Sequence, residues 1–159
     1  MSPTPTLRQA LVDAERLPWI PLAPGEWFKP LRFLPDQDSR VLLLRLAPGT
    51  GVPLHRHLGE VHAWNVSGSR QLHTGEVVGP GGYVYEPPGN VDSWRATGDE
   101  DVVVFIAARG SMEYLGPKGE VLRRDGAESL RERYERHCAE TGIEPLDLVS
   151  RSRGERAPC

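Results

Sequence analysis

Apolar residues in this chain come in short runs that alternate with polar ones, and each run is closed by a turn built on Gly or Pro. Alternation with a period of two puts every second side chain on one face of an extended strand, while Gly, Pro, Asn and Asp supply the backbone conformations that turns need. The pattern predicts strands over 27–34, 40–46, 51–57, 60–66, 70–74, 83–86, 92–96, 102–108, 112–115 and 121–124. Between them stand Pro48-Gly49, Ser67-Gly68, Gly79-Pro80-Gly81-Gly82, Pro87-Pro88-Gly89-Asn90, Gly98-Asp99 and Gly116-Pro117-Lys118-Gly119. Strands recurring at roughly ten-residue spacing point to an all-β sandwich or barrel rather than a parallel sheet with crossover helices.

Two segments carry the helical period instead. Leu7, Ala10, Leu11, Ala14 and Leu17 recur at helical spacing ahead of Pro18, which predicts a short leading helix over 6–17. Residues 127–141 are charged nearly throughout, apart from a narrow stripe of Leu130, Tyr134, His137 and Cys138, and Gly142 supplies a stop. That stretch reads as an amphipathic helix lying on the outside of the barrel, with His137 in a packing role. The expected layout is an N-terminal segment 1–18, a β-barrel 19–126, a C-terminal helix 127–145 and a flexible polar tail 146–159. The tail is Arg-rich, but Glu155 dilutes its charge, and it reads as a solvated terminus.

Composition narrows the partners. The chain has 159 residues, the length of one domain with room for a core, and its net charge of −3 argues against nucleic acid or an anionic membrane as the main partner. No apolar run approaches the ~20 residues of a membrane span. Met1-Ser2-Pro3-Thr4-Pro5-Thr6 lacks a basic region followed by an apolar one, so no secretory leader is expected. The thiols are Cys138, in the predicted helix, and Cys159, which argues against a disulfide framework and for a reducing cytoplasm.

Candidate chemistry concentrates in one place. Of five histidines, three (His55, His57 and His62) fall within eight positions that also hold Glu60, directly after an apolar strand. His55 and His57 are two apart, so both imidazoles project to one face, and imidazole is the commonest protein ligand for a metal. Glu86 closes an apolar strand just before Pro87. A buried carboxylate there needs a partner, either a ligand or bound water that it orients, or Arg32, Arg45 or Arg95 in an edge salt bridge. His73, in a turn-rich stretch, reads as exposed. Trp64, Trp94, Tyr83 and Tyr85 read as pocket lining or as ordinary barrel core.

The spacing around these residues resembles the cupin superfamily. Its first signature is a glycine, five residues, His-x-His, three or four residues, a glutamate, six residues and a glycine, and Gly49, His55, His57 and Gly68 fit it. Its second is a glycine, five residues, Pro-x-Gly, two residues and a histidine, resembled by Gly81 and Pro87-Pro88-Gly89 with Asp92 in the ligand slot. Within that superfamily, His55-Arg56-His57-Leu58-Gly59-Glu60-Val61-His62-Ala63 and Tyr83-Val84-Tyr85-Glu86-Pro87-Pro88-Gly89 look like the dihydroxyacetophenone dioxygenase group. Tyr114-Leu115-Gly116 and the helix near His137-Cys138 are also similar, so the likeness runs over roughly 19–142. It implies a single-domain jelly-roll barrel, a double-stranded β-helix, holding one metal ion.

Two departures shape the expected ligand set. Counting back from Gly68 puts Val61 in the glutamate slot, flanked by Glu60 and His62; counting five on from His57 puts His62 there. His62 is the expected fourth ligand, with Glu60 beside it touching a ligand or the substrate. Asp92 replaces the usual histidine, and two histidines with one carboxylate is the open-sided arrangement of non-haem iron(II) oxygenases; it equally fits a weakened site that no longer uses metal. The resemblance therefore implies a mononuclear cupin oxygenase using Fe(II) at His55, His57, His62 and Asp92 on a small hydroxyketone or diketone with O2, with a homodimer expected. The same cage fits two other uses: redox-neutral isomerisation, cyclisation or dehydration with Zn, Mn or Ni, and a non-catalytic sensor that holds a ligand or metal.

Overall fold

The period-two runs pair into antiparallel ladders. In the computed structural model, which describes residues 9–150, the strands are β1 (Ile20–Ala23), β2 (Glu26–Leu34), β3 (Ser39–Leu46), β4 (Gly51–His57), β5 (Val61–Ser67), β6 (Ser69–Leu72), β7 (Val77–Val78), β8 (Tyr83–Glu86), β9 (Val91–Thr97), β10 (Val102–Ala108), β11 (Met112–Leu115) and β12 (Val121–Asp125), followed by α1 (Ala127–Thr141). One six-stranded sheet runs β1-β2-β3-β10-β5-β8 and the other β12-β11-β4-β9-β6-β7. From β3 to β6 and again from β7 to β11 successive strands alternate between the sheets, and the two sheets face each other as a jelly roll, as the resemblance implies.

Alternation decides what lies between the sheets. Leu42, Leu44 and Leu46 of β3, Val61, Ala63 and Asn65 of β5, Trp94 and Ala96 of β9, and Val102 and Val104 of β10 are buried. Their odd-numbered or even-numbered neighbours point away. Phe28 and Phe33 of β2 close the same core at 0% and 1% exposure. The turn from β5 to β6 depends on Gly68, whose φ is +67° and whose Cβ, were there one, would stand 2.3 Å from the Asp101 carbonyl oxygen. Only glycine meets both conditions.

The helix lies where the stripe demands. Leu130, Tyr134 and Cys138 are buried, and α1 contacts β2, β1 and β12. Its N-terminus is capped from both sides: Ala127 N–H donates to Asp38 Oδ1 outside the helix at 2.8 Å, and the capping residue Gly126 donates its N–H to Ser129 Oγ within it at 3.0 Å. Gly142, left-handed at φ 71°, ends the helix.

Three expectations change. The leading helix reduces to a single 3-10 turn, Ala14–Arg16; residues 6–8 of that expectation lie outside the described residues. The reason is burial: Leu11 is 97% exposed, and among the described residues of the supposed stripe only Leu17 reaches the core, so a short helix has nothing to pack its face against. Strands β1 and β7 are additional, one carrying Pro21 and the other only two residues long. Residues 146–150 belong to the fold. Phe33 N–H donates to the Leu148 carbonyl at 2.8 Å, Ser150 N–H donates to the Phe33 carbonyl at 2.9 Å, and Leu148 is buried. The remainder of the expected tail, including Cys159, lies outside the described residues. Cys138 is a buried free thiol. No described helix is long and apolar enough to cross a membrane.

Candidate metal centre

Strand β4 turns His55 and His57 into the barrel and Arg56 outward. The Nδ1–H of His55 donates to the Pro53 carbonyl at 2.7 Å. A carbonyl can only accept, so the tautomer is set and Nε2 keeps the lone pair. The turn after β8 clamps the backbone of His57: its N–H donates to the Asn90 carbonyl at 3.0 Å and its carbonyl accepts from Gly89 N–H at 2.7 Å.

That clamp carries the end of β8 across from the opposite sheet. Glu86, the last residue of β8, stands with a carboxylate oxygen 3.5 Å from His57 Nε2. Its other oxygen accepts from Asn90 Nδ2 at 2.9 Å. One donor atom each from His55, His57 and Glu86 lie within 4.8 Å of one another, and all three residues are buried. Two imidazoles and one carboxylate are the donor set of a facial triad with open positions, so the chemistry of this group fits a divalent cation.

Burial tunes the group. It pushes the His57 imidazole down to about 3, with His55 and Arg40 adding to the effect. It also lowers His55, against the raising influence of Pro53 and Asp92. Both rings are therefore neutral at ordinary pH, the state a metal requires. Glu86 is raised by burial, opposed by the Asn90 hydrogen bond and, more weakly, by Arg70.

The three donors open on an interior cavity of about 70 Å³, several times the room one water needs. Leu42, Leu44, Val52, Val61, Ala63 and Ile106 form its apolar wall, and Trp94, Met112 and Tyr114 complete it. Charged side chains also reach it: Arg40, Arg70, Glu26 and Asp125. The Tyr114 hydroxyl is pushed up to about 12 by burial and by Glu26 and Asp125, and its ring lies 6.3 Å from that of His55.

The other expected site residues fall elsewhere. Asp92 is buried and sits opposite His55 in the β4–β9 ladder. Its carboxylate, however, accepts from the His73 ring and from Ser93 N–H, the latter at 2.8 Å, and it is not part of the three-donor group. His62 is the clear correction. In β5 the inward parity belongs to Val61 and Ala63, so His62 lies outside the barrel, hydrogen-bonded to the Tyr83 hydroxyl at 2.7 Å. Glu60 is outside as well, near His62 at 3.7 Å and Arg109 at 3.9 Å. Glu86 takes up none of Arg32, Arg45 or Arg95. His73, expected to be merely exposed, is engaged with Asp92. Of the four aromatics, Trp94 lines the cavity, whereas Trp64, Tyr83 and Tyr85 are exposed.

Asn90, Arg40, Arg70 and Tyr114 were not anticipated as site residues. A signal for two of them exists in the strand parity. Arg40 shares its face with Leu42 and Leu44, and Arg70 follows a glycine turn on a strand whose other residues are only partly buried.

A family model described as the ChrR cupin-like domain matches residues 7–113. No curated protein gives a significant match. Among solved structures, an RmlC-like cupin from Ralstonia eutropha is 26% identical with a TM-score of 0.85, the match covering 91% of this chain and 96% of that one. A cupin-like protein of unknown function from the same organism is 23% identical, with a TM-score of 0.80 over 97% of this chain and 99% of that one. An acetylacetone dioxygenase from Acinetobacter johnsonii is 13% identical, with a TM-score of 0.74 over 86% of this chain and 97% of that one. The last two likenesses establish a common fold and nothing finer.

Proposed function

The chain belongs to the ChrR cupin-like domain family, and on that premise we propose that it is a mononuclear metal-dependent oxygenase acting on a small hydroxyketone- or diketone-like substrate, with Fe(II) as its metal. The observation that carries this reading is the convergence of His55, His57 and Glu86 on one point at the wall of an apolar cavity. Three protein donors leave positions free on an ion, whereas a purely structural site is closed by four. When bound, the metal supplies Lewis acidity and the capacity to activate oxygen.

The chain's own residues do the rest. Pro53 fixes the His55 tautomer and Asn90 orients the Glu86 carboxylate, so the donors are held before a ligand arrives. The apolar wall excludes water and receives the carbon skeleton of the substrate. A cavity of about 70 Å³ suits a small molecule. The name of the Acinetobacter johnsonii relative makes acetylacetone a sensible first substrate to offer.

The reading includes a homodimer in a reducing cytoplasm. Supporting the first, Phe105, Trp64 and Tyr83 form one cross-strand row on the outer face of a sheet and are 36%, 49% and 55% exposed. Tyr85 adds to that face at 50%. Half-exposed aromatics of 150–250 Å² each make a patch on the order of 300–400 Å², a fair share of the ~800 Å² per partner that a stable dimer buries. Supporting the second, Cys138 is a free thiol.

The test is to load the purified chain with Fe(II) under argon, admit air, and follow oxygen with a panel of hydroxyketones and diketones. Substrate-dependent uptake that His55→Ala abolishes is the expected result. Uptake no greater than in that variant across the whole panel overturns the reading.

A further inference from the structure

Arg70 is a buried charge whose hydrogen bonds are incomplete. The side chain is 3% exposed and lines the cavity that holds the three donors. Its Nε donates to Asn65 Oδ1 at 2.9 Å, and its guanidinium lies over the Trp94 ring, 4.7 Å from the centroid. Asn65 is itself fully buried and pinned through Nδ2 to the Val78 carbonyl at 3.0 Å, so it braces the arginine rather than following it. Nη2, by contrast, is buried with no hydrogen-bond partner among the described residues. Glu86 and Asp92 act on Arg70 through their charge, but neither forms an ion pair with it among the described residues, being taken up by Asn90 and by His73 and Ser93.

A charged N–H left unmet in the interior costs more than an unmet neutral one. A planar guanidinium fixed by stacking and by one hydrogen bond is also preorganised, with its remaining donors aimed at fixed positions. A second guanidinium reinforces the field: Arg40, 5% exposed, lines the same cavity and gives Nη1 to the Gly110 carbonyl at 2.7 Å.

We propose that Arg70 Nη2 is the recognition point for an anionic oxygen, carboxylate or enolate, on a small ligand held in the same cavity as His55, His57 and Glu86. This deepens the function proposed above and rests on it only in sharing that cavity. The ligand's negative end meets Arg70 and its carbon skeleton lies along the apolar wall, whereas a neutral amide of the same shape offers Nη2–H only a carbonyl and leaves the buried charge uncompensated.

The test is calorimetric titration of the full chain, as purified and again after chelation, with three probes: isobutyrate, its neutral isostere isobutyramide, and acetylacetone at a pH where it ionises to the enolate. Saturable binding of isobutyrate or of the enolate is expected, and which of them binds identifies the kind of anion. Isobutyramide is expected to bind at least about tenfold more weakly, since its carbonyl can accept from Nη2–H but brings no negative charge to the buried guanidinium. Arg70→Met should lower anion affinity by about tenfold or more, while Arg70→Lys keeps part of it. Equal binding of isobutyrate and isobutyramide with no enolate binding, binding by neither anion, or wild-type affinity in both variants overturns the proposal. If Arg70→Met fails to fold, Arg70→Lys and the comparison of probes on the unaltered chain still decide. Because binding is read after chelation as well, anion binding without oxygen uptake overturns the oxygenase reading alone, and oxygen uptake without anion binding overturns this proposal alone.

Discussion

Asp92 stands opposite His55 in the β4–β9 ladder, yet its carboxylate is held by the ring of His73 and the backbone of Ser93. The carboxylate that joins the histidines is Glu86, from the other sheet. The cross-strand neighbour and the spatial donor are therefore different residues.

This difference predicts a clean split between two conservative variants. Glu86→Gln should weaken Zn(II) or Fe(II) binding by at least the roughly tenfold to hundredfold that losing a mere supporting partner costs, whereas Asp92→Asn should change it by less than about threefold. Competition against a coloured chelator measures both. The reverse ranking would reassign the third donor to Asp92.

How far the chain could be read depends on which rule each residue obeyed. His55 and His57 were legible because one parity governs both and the flanking turns fix where β4 ends. His62 departs from expectation because counting along a motif fixes a slot only if the start of the next strand is known; β5 begins at Val61, which sends His62 out. Glu86 was legible as a carboxylate needing a partner, but its place beside His57 depends on the turn from Pro87 to Asn90 folding back onto β4, a contact between sheets that no period reveals. Arg40 and Arg70 share the inward parity of their strands, but arginine on a strand ordinarily marks the solvent face. His62→Ala should accordingly leave metal content unchanged.

The acid limb of stability should belong chiefly to His57, with His55, also lowered by burial, acting in the same direction. In the folded chain its imidazole stays neutral down to about 3, against an ordinary value of 6.5. The unfolded chain therefore binds the extra proton first, and stability is lost as the pH falls below 6.5, by about 2 kcal/mol at pH 5. Glu86 acts in the opposite direction: its raised value favours the folded state in acid, and that contribution fades as the pH rises through the folded value. Urea melts of chelated protein between pH 7 and 5 should show a declining midpoint, flattened in His57→Gln. An equally steep decline in that variant would place the origin elsewhere.

Gly68→Ala should destabilise the barrel by roughly 3 kcal/mol or more, combining left-handed backbone strain with overpacking. The added methyl would meet the Asp101 carbonyl at 2.3 Å and the Val102 Cα at 2.7 Å, and neither backbone atom is free to move. Gly75→Ala is the control. It also has positive φ, but nothing stands within 4 Å of the added carbon, so only the strain remains. Thermal unfolding of the two side by side separates clash from conformation.

The exposed aromatic row predicts the assembly state. Sedimentation of the unaltered chain should report a dimer, and Trp64→Glu, which places a charge opposite both Phe105 and Tyr83, should shift it to monomer without loss of fold. A chain that sediments as monomer at tens of micromolar would remove the homodimer from the proposed function.

Two of the candidate ligands come from β4 and the third from β8, and these strands belong to opposite sheets. An ion seated there acts as a rivet through both layers of the molecule. Its release would free the short outermost strand β8, so amide exchange along Tyr83–Glu86 should quicken on chelation. Saturation at a hundredfold excess over the dissociation constant adds about 2.7 kcal/mol, worth roughly 5–10 °C in a chain of this size. The melting temperature of the protein thereby becomes a gauge of which metal it prefers, readable before any substrate has been found.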